Sequence, residues 1–156
     1  MSTYTEAKQA RARDLFMGGA NCSQAVAGAF QEECGIPLES IFRMASGFGG
    51  GMGRMREVCG AVSGMVLVAG ILRGPTPDEG KEAKDAHYAL IQKLAGQFRE
   101  QLGSIICREL LGLAPHSNDS PVSTPRTPDF HRKRPCSEIV AIAAGILANE
   151  LENQIS

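Results

Sequence analysis

From Val58 to Leu72 the chain runs for 15 residues without a charged side chain, between Arg56-Glu57 and Arg73. A bilayer span needs roughly 20 consecutive apolar residues, so this stretch is too short to cross a membrane. It is also rich in small residues, Gly60, Ala61, Ser63, Gly64 and Gly70, which let a neighbouring helix come close. Together these properties predict the buried central helix of a compact domain. At 156 residues the chain has the size of a single domain and can close a core without disulfide staples.

The rest of the chain repeats with a helical period. Thr3-Tyr4-Thr5-Glu6 reads as a capping box opening a first helix to about Met17, which Gly18-Gly19 stops. Asn21 caps a second helix that carries Ala25, Val26, Ala29 and Phe30 on one side and ends near Gly35. Pro37 begins a short third through Ile41, Phe42 and Met44. Thr76-Pro77-Asp78-Glu79 is the strongest start signal, and from it an amphipathic helix runs to about Leu102, with Tyr88, Ile91, Leu94 and Phe98 spaced by three or four. A last helix runs from Cys136 to the C-terminus. Val66-Leu67-Val68 has the composition of a strand, but its flanks read as helix, and no stretch alternates as strands do. The prediction is an all-α, multi-helix fold, one domain over residues 1–156. Residues 112–135 stand apart as a long loop holding five of the eight prolines, and loops of that length are commonly functional or mobile.

The five cysteines fall at helix ends. Cys22 follows Asn21, Cys59 opens the central helix, Cys107 lies three residues after the capping residue Ser104, and Cys136 follows Pro135. Cys34 instead lies at a helix C-terminus, after Glu32-Glu33 and before Gly35. Unpaired N–H groups and the helix dipole favour negative charge at the N-terminus and disfavour it at the C-terminus. Thiolate is therefore expected at four cysteines and not at Cys34. Their spacing is too wide for a zinc ribbon, a thioredoxin motif or a ferredoxin run, so a shared site has to be assembled by the fold. The alternative is that they are small hydrophobes in the core.

The segment Gly47 to Arg54 holds five glycines in seven residues, but it follows no strand and lacks G-K-[ST], which excludes the dinucleotide and P-loop readings. It admits an anion nest beside Arg54 and Arg56; the favoured reading is that glycine permits close approach, with Gly49, Gly50, Gly51 and Gly60 covering the cysteine site. His87, His116 and His131 show no ligand pairing. The run Arg132-Lys133-Arg134 before Cys136 is either simply solvated, or it lowers that thiol's pKa or docks an acidic electron-transfer partner. A formal net charge of −1 gives no argument for nucleic acid, and the first residues lack the apolar core of a signal peptide. An odd cysteine count without a secretion signal places the chain in a reducing, cytoplasmic compartment.

Gly18-Gly19-Ala20-Asn21-Cys22-Ser23-Gln24-Ala25-Val26, Gly49-Gly50-Gly51-Met52-Gly53 running into Val58-Cys59-Gly60-Ala61-Val62-Ser63-Gly64, Cys107-Arg108-Glu109-Leu110-Leu111-Gly112 and Pro135-Cys136 together resemble the redox-active protein family named for the signature C…GCAxxG…C…C. One position departs: the name puts glycine before the second cysteine, and this chain reads Cys59-Gly60-Ala61-x-x-Gly64. The resemblance implies that the family's four cysteines are Cys22, Cys59, Cys107 and Cys136, with no counterpart for Cys34. Related domains occur in split-Soret cytochromes, where iron–sulfur chemistry accompanies the fold. Without a C-x-x-C-H, covalent haem is not implied.

The leading expectation is that these four cysteines ligate an iron–sulfur cluster for electron transfer or redox sensing. A thiol–disulfide oxidoreductase using two of them is the rival, and a structural zinc site or plain interaction domain the third reading. A redox partner protein and a homodimer are further expectations, with no nucleic acid and no membrane insertion. Gly60-x-x-x-Gly64 serves either an interface or internal packing.

Overall fold

The computed structural model describes residues 2–153. Its fold is all-α, with nine α-helices among the described residues: α1 Thr3–Met17, α2 Cys22–Ala29, α3 Gln31–Cys34, α4 Leu38–Ala45, α5 Gly60–Arg73, α6 Lys81–Leu102, α7 Cys107–Leu110, α8 Pro128–Lys133 and α9 Cys136–Asn153. Val66-Leu67-Val68 lies inside α5.

The uncharged stretch forms the buried central helix. α5 packs on α2, α6 and α9, and α1 closes over α2 and α9. Phe16, Val26, Phe30, Met65, Phe98 and Leu147 are all but fully buried where these helices meet. Each such side chain contributes about 1.5–3 kcal/mol relative to exposure. Small residues set the α2–α5 distance: a Cβ on Gly60 would lie 3.1 Å from the Ser23 nitrogen, and one on Gly64 2.9 Å from the Ser23 carbonyl oxygen. The Gly60-x-x-x-Gly64 face is thus spent on internal packing against α2.

Several helix starts differ from the prediction. α1 is capped one residue earlier, by Ser2, whose hydroxyl accepts from the Thr5 N–H. Phe30 interrupts the predicted second helix, dividing it into α2 and α3. The Thr76 capping box forms but closes a single 3₁₀ turn, Pro77–Glu79; Gly80 then breaks the chain before α6 begins at Lys81. The segment 112–135 is not all loop, because Thr127 caps α8, accepting from the Phe130 N–H. For the last helix, predicted to reach the C-terminus, residues 154–156 lie outside the described residues.

No helix among the described residues is long and apolar enough to cross a membrane.

Candidate functional site

Four helix starts converge on one cavity of about 410 Å³, lined by Cys22, Cys59, Cys107 and Cys136. Cys22 is the first residue of α2, held by a capping box in which the Asn21 side chain accepts from the Gln24 N–H and the Gln24 side chain accepts from the Asn21 N–H. Cys59 is the N-cap of α5, and Cys136 is the first residue of α9. Cys107 begins the short α7; Ser104, the predicted cap, instead accepts from the N–H of Ile106, the residue directly before α7. Cys34 ends α3 and does not line the cavity.

Cys59 and Cys107 are joined by a contact that helix patterning does not show. The chain before α5 runs antiparallel to the chain before α7: the Cys59 N–H donates to the Ile105 carbonyl at 2.8 Å, and the Cys107 N–H to the Glu57 carbonyl at 2.6 Å. Val58 and Ile106 form an isolated bridge between them. The one sequence signal for it is the β-branched pair Ile105-Ile106 directly before Cys107.

Gly49, Gly50, Gly51 and Gly60 also line the cavity. The glycine-rich loop winds left-handed, with positive φ at Gly50, Gly51, Met52, Gly53, Arg54 and Arg56. Its amides from Met52 to Glu57 are spent on carbonyls of the same segment. Those of Gly53, Arg54, Arg56 and Glu57 donate to the carbonyls of Gly47, Gly49, Gly50 and Gly51. Gly51, at φ 74°, is required on two counts, since a Cβ there would stand 2.6 Å from the Glu57 nitrogen. A left-handed backbone costs a side-chain-bearing residue about 1–2 kcal/mol. Arg54 and Arg56 bear that cost and are thereby brought onto the cavity wall.

Among the described residues the wall carries four arginines, Arg54, Arg56, Arg126 and Arg134, and no Asp, Glu or His side chain. Arg56 is buried; it donates from Nε to the Asn118 carbonyl at 2.8 Å and sets an Nη atom 3.6 Å from the Cys107 Sγ. Arg54 pins the 112–135 segment, donating to the Ser120 carbonyl at 2.6 Å, to the Val122 carbonyl and to the Thr124 hydroxyl. Arg126 reaches back from that segment to the Phe16 and Ala20 carbonyls, its guanidinium 4.1 Å from the centre of the Phe16 ring. The proline-rich segment is therefore the tied-down outer wall of the cavity, with Pro121, Ser123 and Thr124 facing in. Arg126 carried no recognisable motif. Of the basic run, Arg132 pairs with Asp129 on the surface, and Arg134 lines the cavity.

A sequence profile of the family described as "Putative redox-active protein (C_GCAxxG_C_C)" matches residues 20–150. The chain belongs to this family. The match covers every element that contributes a cysteine to the cavity. No curated protein and no solved structure matches the chain.

In this C_GCAxxG_C_C protein the thiols are not alike. Cys136 is held down to about 7, chiefly by its hydrogen bond with Cys22, which outweighs the opposing effect of burial; Arg134, Arg126 and Arg56 act in the same direction. Cys22, the partner in that bond, is pushed well up, first by the bond and then by burial. Burial pushes Cys59 up to about 12, although the N–H groups of Ala61 and Val62 at the start of α5 pull the other way. The expectation that every helix start favours thiolate is thus corrected at Cys22, where the bond with Cys136 and then burial prevail, and at Cys59, where removing a thiolate from water outweighs the backbone dipoles. Cys34 is raised, by burial and then by Glu33, as a helix C-terminus beside an acid predicts.

In kind, the donor set fits an iron–sulfur cluster. Thiolates are the soft ligands such clusters take, and the arginines would offset their negative charge. Among the described residues, no three or more His, Cys, Asp or Glu side chains are gathered so as to hold a single metal ion. A cluster places several atoms between its ligands and does not ask for that convergence.

Proposed function

We propose that this redox-active protein carries electrons, or senses redox state, through an iron–sulfur cluster held by Cys22, Cys59, Cys107 and Cys136. One observation supports this above the others: thiols from four separate segments face one arginine-lined cavity free of carboxylate. When bound, the group supplies a store for single electrons. The protein's own residues do the rest. Phe16, Leu110, Leu111 and Ile139 line the cavity with apolar surface, which limits water and strengthens every charge interaction inside. Arg56 sits against the Cys107 sulfur, where it would balance thiolate charge. The raised Cys22 and Cys59 thiols make the same point, because ionising both of them in an apolar wall requires compensating positive charge. A reducing compartment is part of this reading, since it keeps all five thiols free.

The test is purification without oxygen, followed by visible absorption and iron analysis, with cluster reconstitution as a second step. The reading expects a coloured protein whose absorption bleaches on reduction. A colourless protein that takes up no iron on reconstitution would rule it out.

A second reading has its own observation. Cys136, at about 7, is the most acidic thiol for which a shift is resolved, and Cys22 is its hydrogen-bond partner. That is the arrangement of an attacking thiolate beside a resolving thiol. It expects mild oxidation to remove two titratable thiols reversibly, with Cys22 and Cys136 recovered as one disulfide-linked peptide pair.

A further inference from the structure

The charges on the cavity wall do not balance. Of the arginines outside the cavity, four pair with acids: Arg13 with Glu138, Arg43 with Glu39, Arg73 with Glu150 and Arg132 with Asp129. None of the four cavity arginines is in an ion pair among the described residues. Arg54 and Arg126 donate only to neutral carbonyl and hydroxyl oxygens, which satisfy N–H groups but leave the charge uncompensated. Arg56 spends Nε on a carbonyl and one Nη on the Cys107 sulfur. Among the described residues the Arg134 side chain has no hydrogen-bond acceptor; its guanidinium lies 5.6 Å from the centre of the Phe130 ring. It is half-buried and lines the cavity with its donor fork unspent.

We infer that the cavity is also a receptor for a small oxyanion, a molecule bearing a carboxylate, phosphate or sulfate group, which Arg134 grips as a fork with Arg56 behind it.

Three features of the wall support that ligand class. A guanidinium presents planar paired donors that match two oxygens of a carboxylate or phosphate. Aromatic and aliphatic walls, from Phe16, Phe130, Leu110 and Ile139, focus the field of the arginines into the cavity. A volume of about 410 Å³ falls within the range of small-molecule sites. The four cysteines would not exhaust the positive charge if they held a cluster, because the cluster's iron offsets part of the thiolate charge. The inference names the ligand class of the proposed redox centre and rests on that reading for the ligand's role, that of a reaction partner brought within reach of the sulfurs.

The experiment titrates the full chain, isolated without oxygen, with sodium succinate, sodium phosphate and sodium sulfate at constant ionic strength. Binding is followed by calorimetry and by the NMR shifts of the arginine side-chain N–H groups. At least one probe is expected to bind saturably, and which one does distinguishes carboxylate, phosphate and sulfate ligands. Arg134→Gln should weaken that binding by about tenfold or more. Lys133→Gln removes the same charge from the neighbouring exposed residue and should change it by less than about twofold. Arg134→Lys keeps the charge and loses the fork, and should fall between wild type and Arg134→Gln. Absence of saturable binding for all three probes, or equal losses in Arg134→Gln and Lys133→Gln, overturns the inference. Iron content is read on the same samples, so a failure of anion binding and a failure of the cluster proposal are separate results.

Discussion

Cys59 and Cys136 start two long helices on the same cavity, yet one thiol is pushed up to about 12 and the other held down to about 7. Position at a helix N-terminus is common to both, so it does not decide the outcome. Cys59 faces backbone N–H groups and apolar surface. Cys136 has a thiol donor in Cys22 and three guanidiniums within reach of its charge. The contrast shows that a helix start tunes a thiol only modestly, and that side-chain donors and charges brought from other segments overcome burial where the dipole alone does not.

Alkylation of the reduced, metal-free protein gives the widest separation. At neutral pH Cys136 should react with iodoacetamide faster than Cys59 by about 100-fold or more, mapped by peptide mass spectrometry; similar rates would collapse the contrast. Removing the donor comes next. Cys22→Ala should move the midpoint of Cys136 reactivity from about 7 upward by about one pH unit, whereas Cys22→Ser retains a hydroxyl donor and should move it less. An unchanged midpoint in Cys22→Ala would assign the lowering to the arginines alone.

Packing of the α5 start gives a smaller effect. Gly60→Ala places a methyl 2.9 Å from the Phe48 carbonyl oxygen and 3.1 Å from the Ser23 nitrogen. It should destabilise the fold by about 1–3 kcal/mol in urea unfolding, and a neutral result would show that the α2–α5 contact relaxes freely.

The pH dependence of stability carries opposite signs from the two thiols. Cys136 ionises lower when folded than its ordinary value of 9.0, so its contribution is full above that value and fades as pH falls through about 7. Cys59 stays protonated when folded to about 12, so stability declines as pH rises from its ordinary value of 9.0 towards that point. Metal-free protein should therefore gain stability from pH 7 to 9 and lose it beyond. A monotonic profile across that range in chemical unfolding would contradict the assignment.

The helices were legible because their signals are local. Asn21 with Gln24 and Gly35 after Cys34 each act within one turn, and the uncharged run of 15 residues, too short for a bilayer, read as a buried helix; the Thr127 cap of α8 was missed inside a segment read as loop. Boundaries moved where two local signals competed, as where the Thr76 box closed a 3₁₀ turn and Gly80 deferred α6. The four cysteines were legible as a set through their helix-start positions and the family resemblance. What periodicity lacked was everything carried between distant segments: the Val58–Ile106 bridge, Arg126 reaching the Phe16 and Ala20 carbonyls, and the exclusion of acids from the cavity wall. The expected thiolate was reversed by the assembled fold as well, through the Cys136 bond and burial at Cys22 and through burial at Cys59.

The most direct test is iron and acid-labile sulfide per chain in oxygen-free preparations of the wild type and of five single Cys→Ser variants. The account predicts that wild type and Cys34→Ser hold equal amounts, and that Cys22→Ser, Cys59→Ser, Cys107→Ser and Cys136→Ser each lose most of both. Full retention in any of those four, or loss in Cys34→Ser, would contradict the claim that these four sulfurs act as one site.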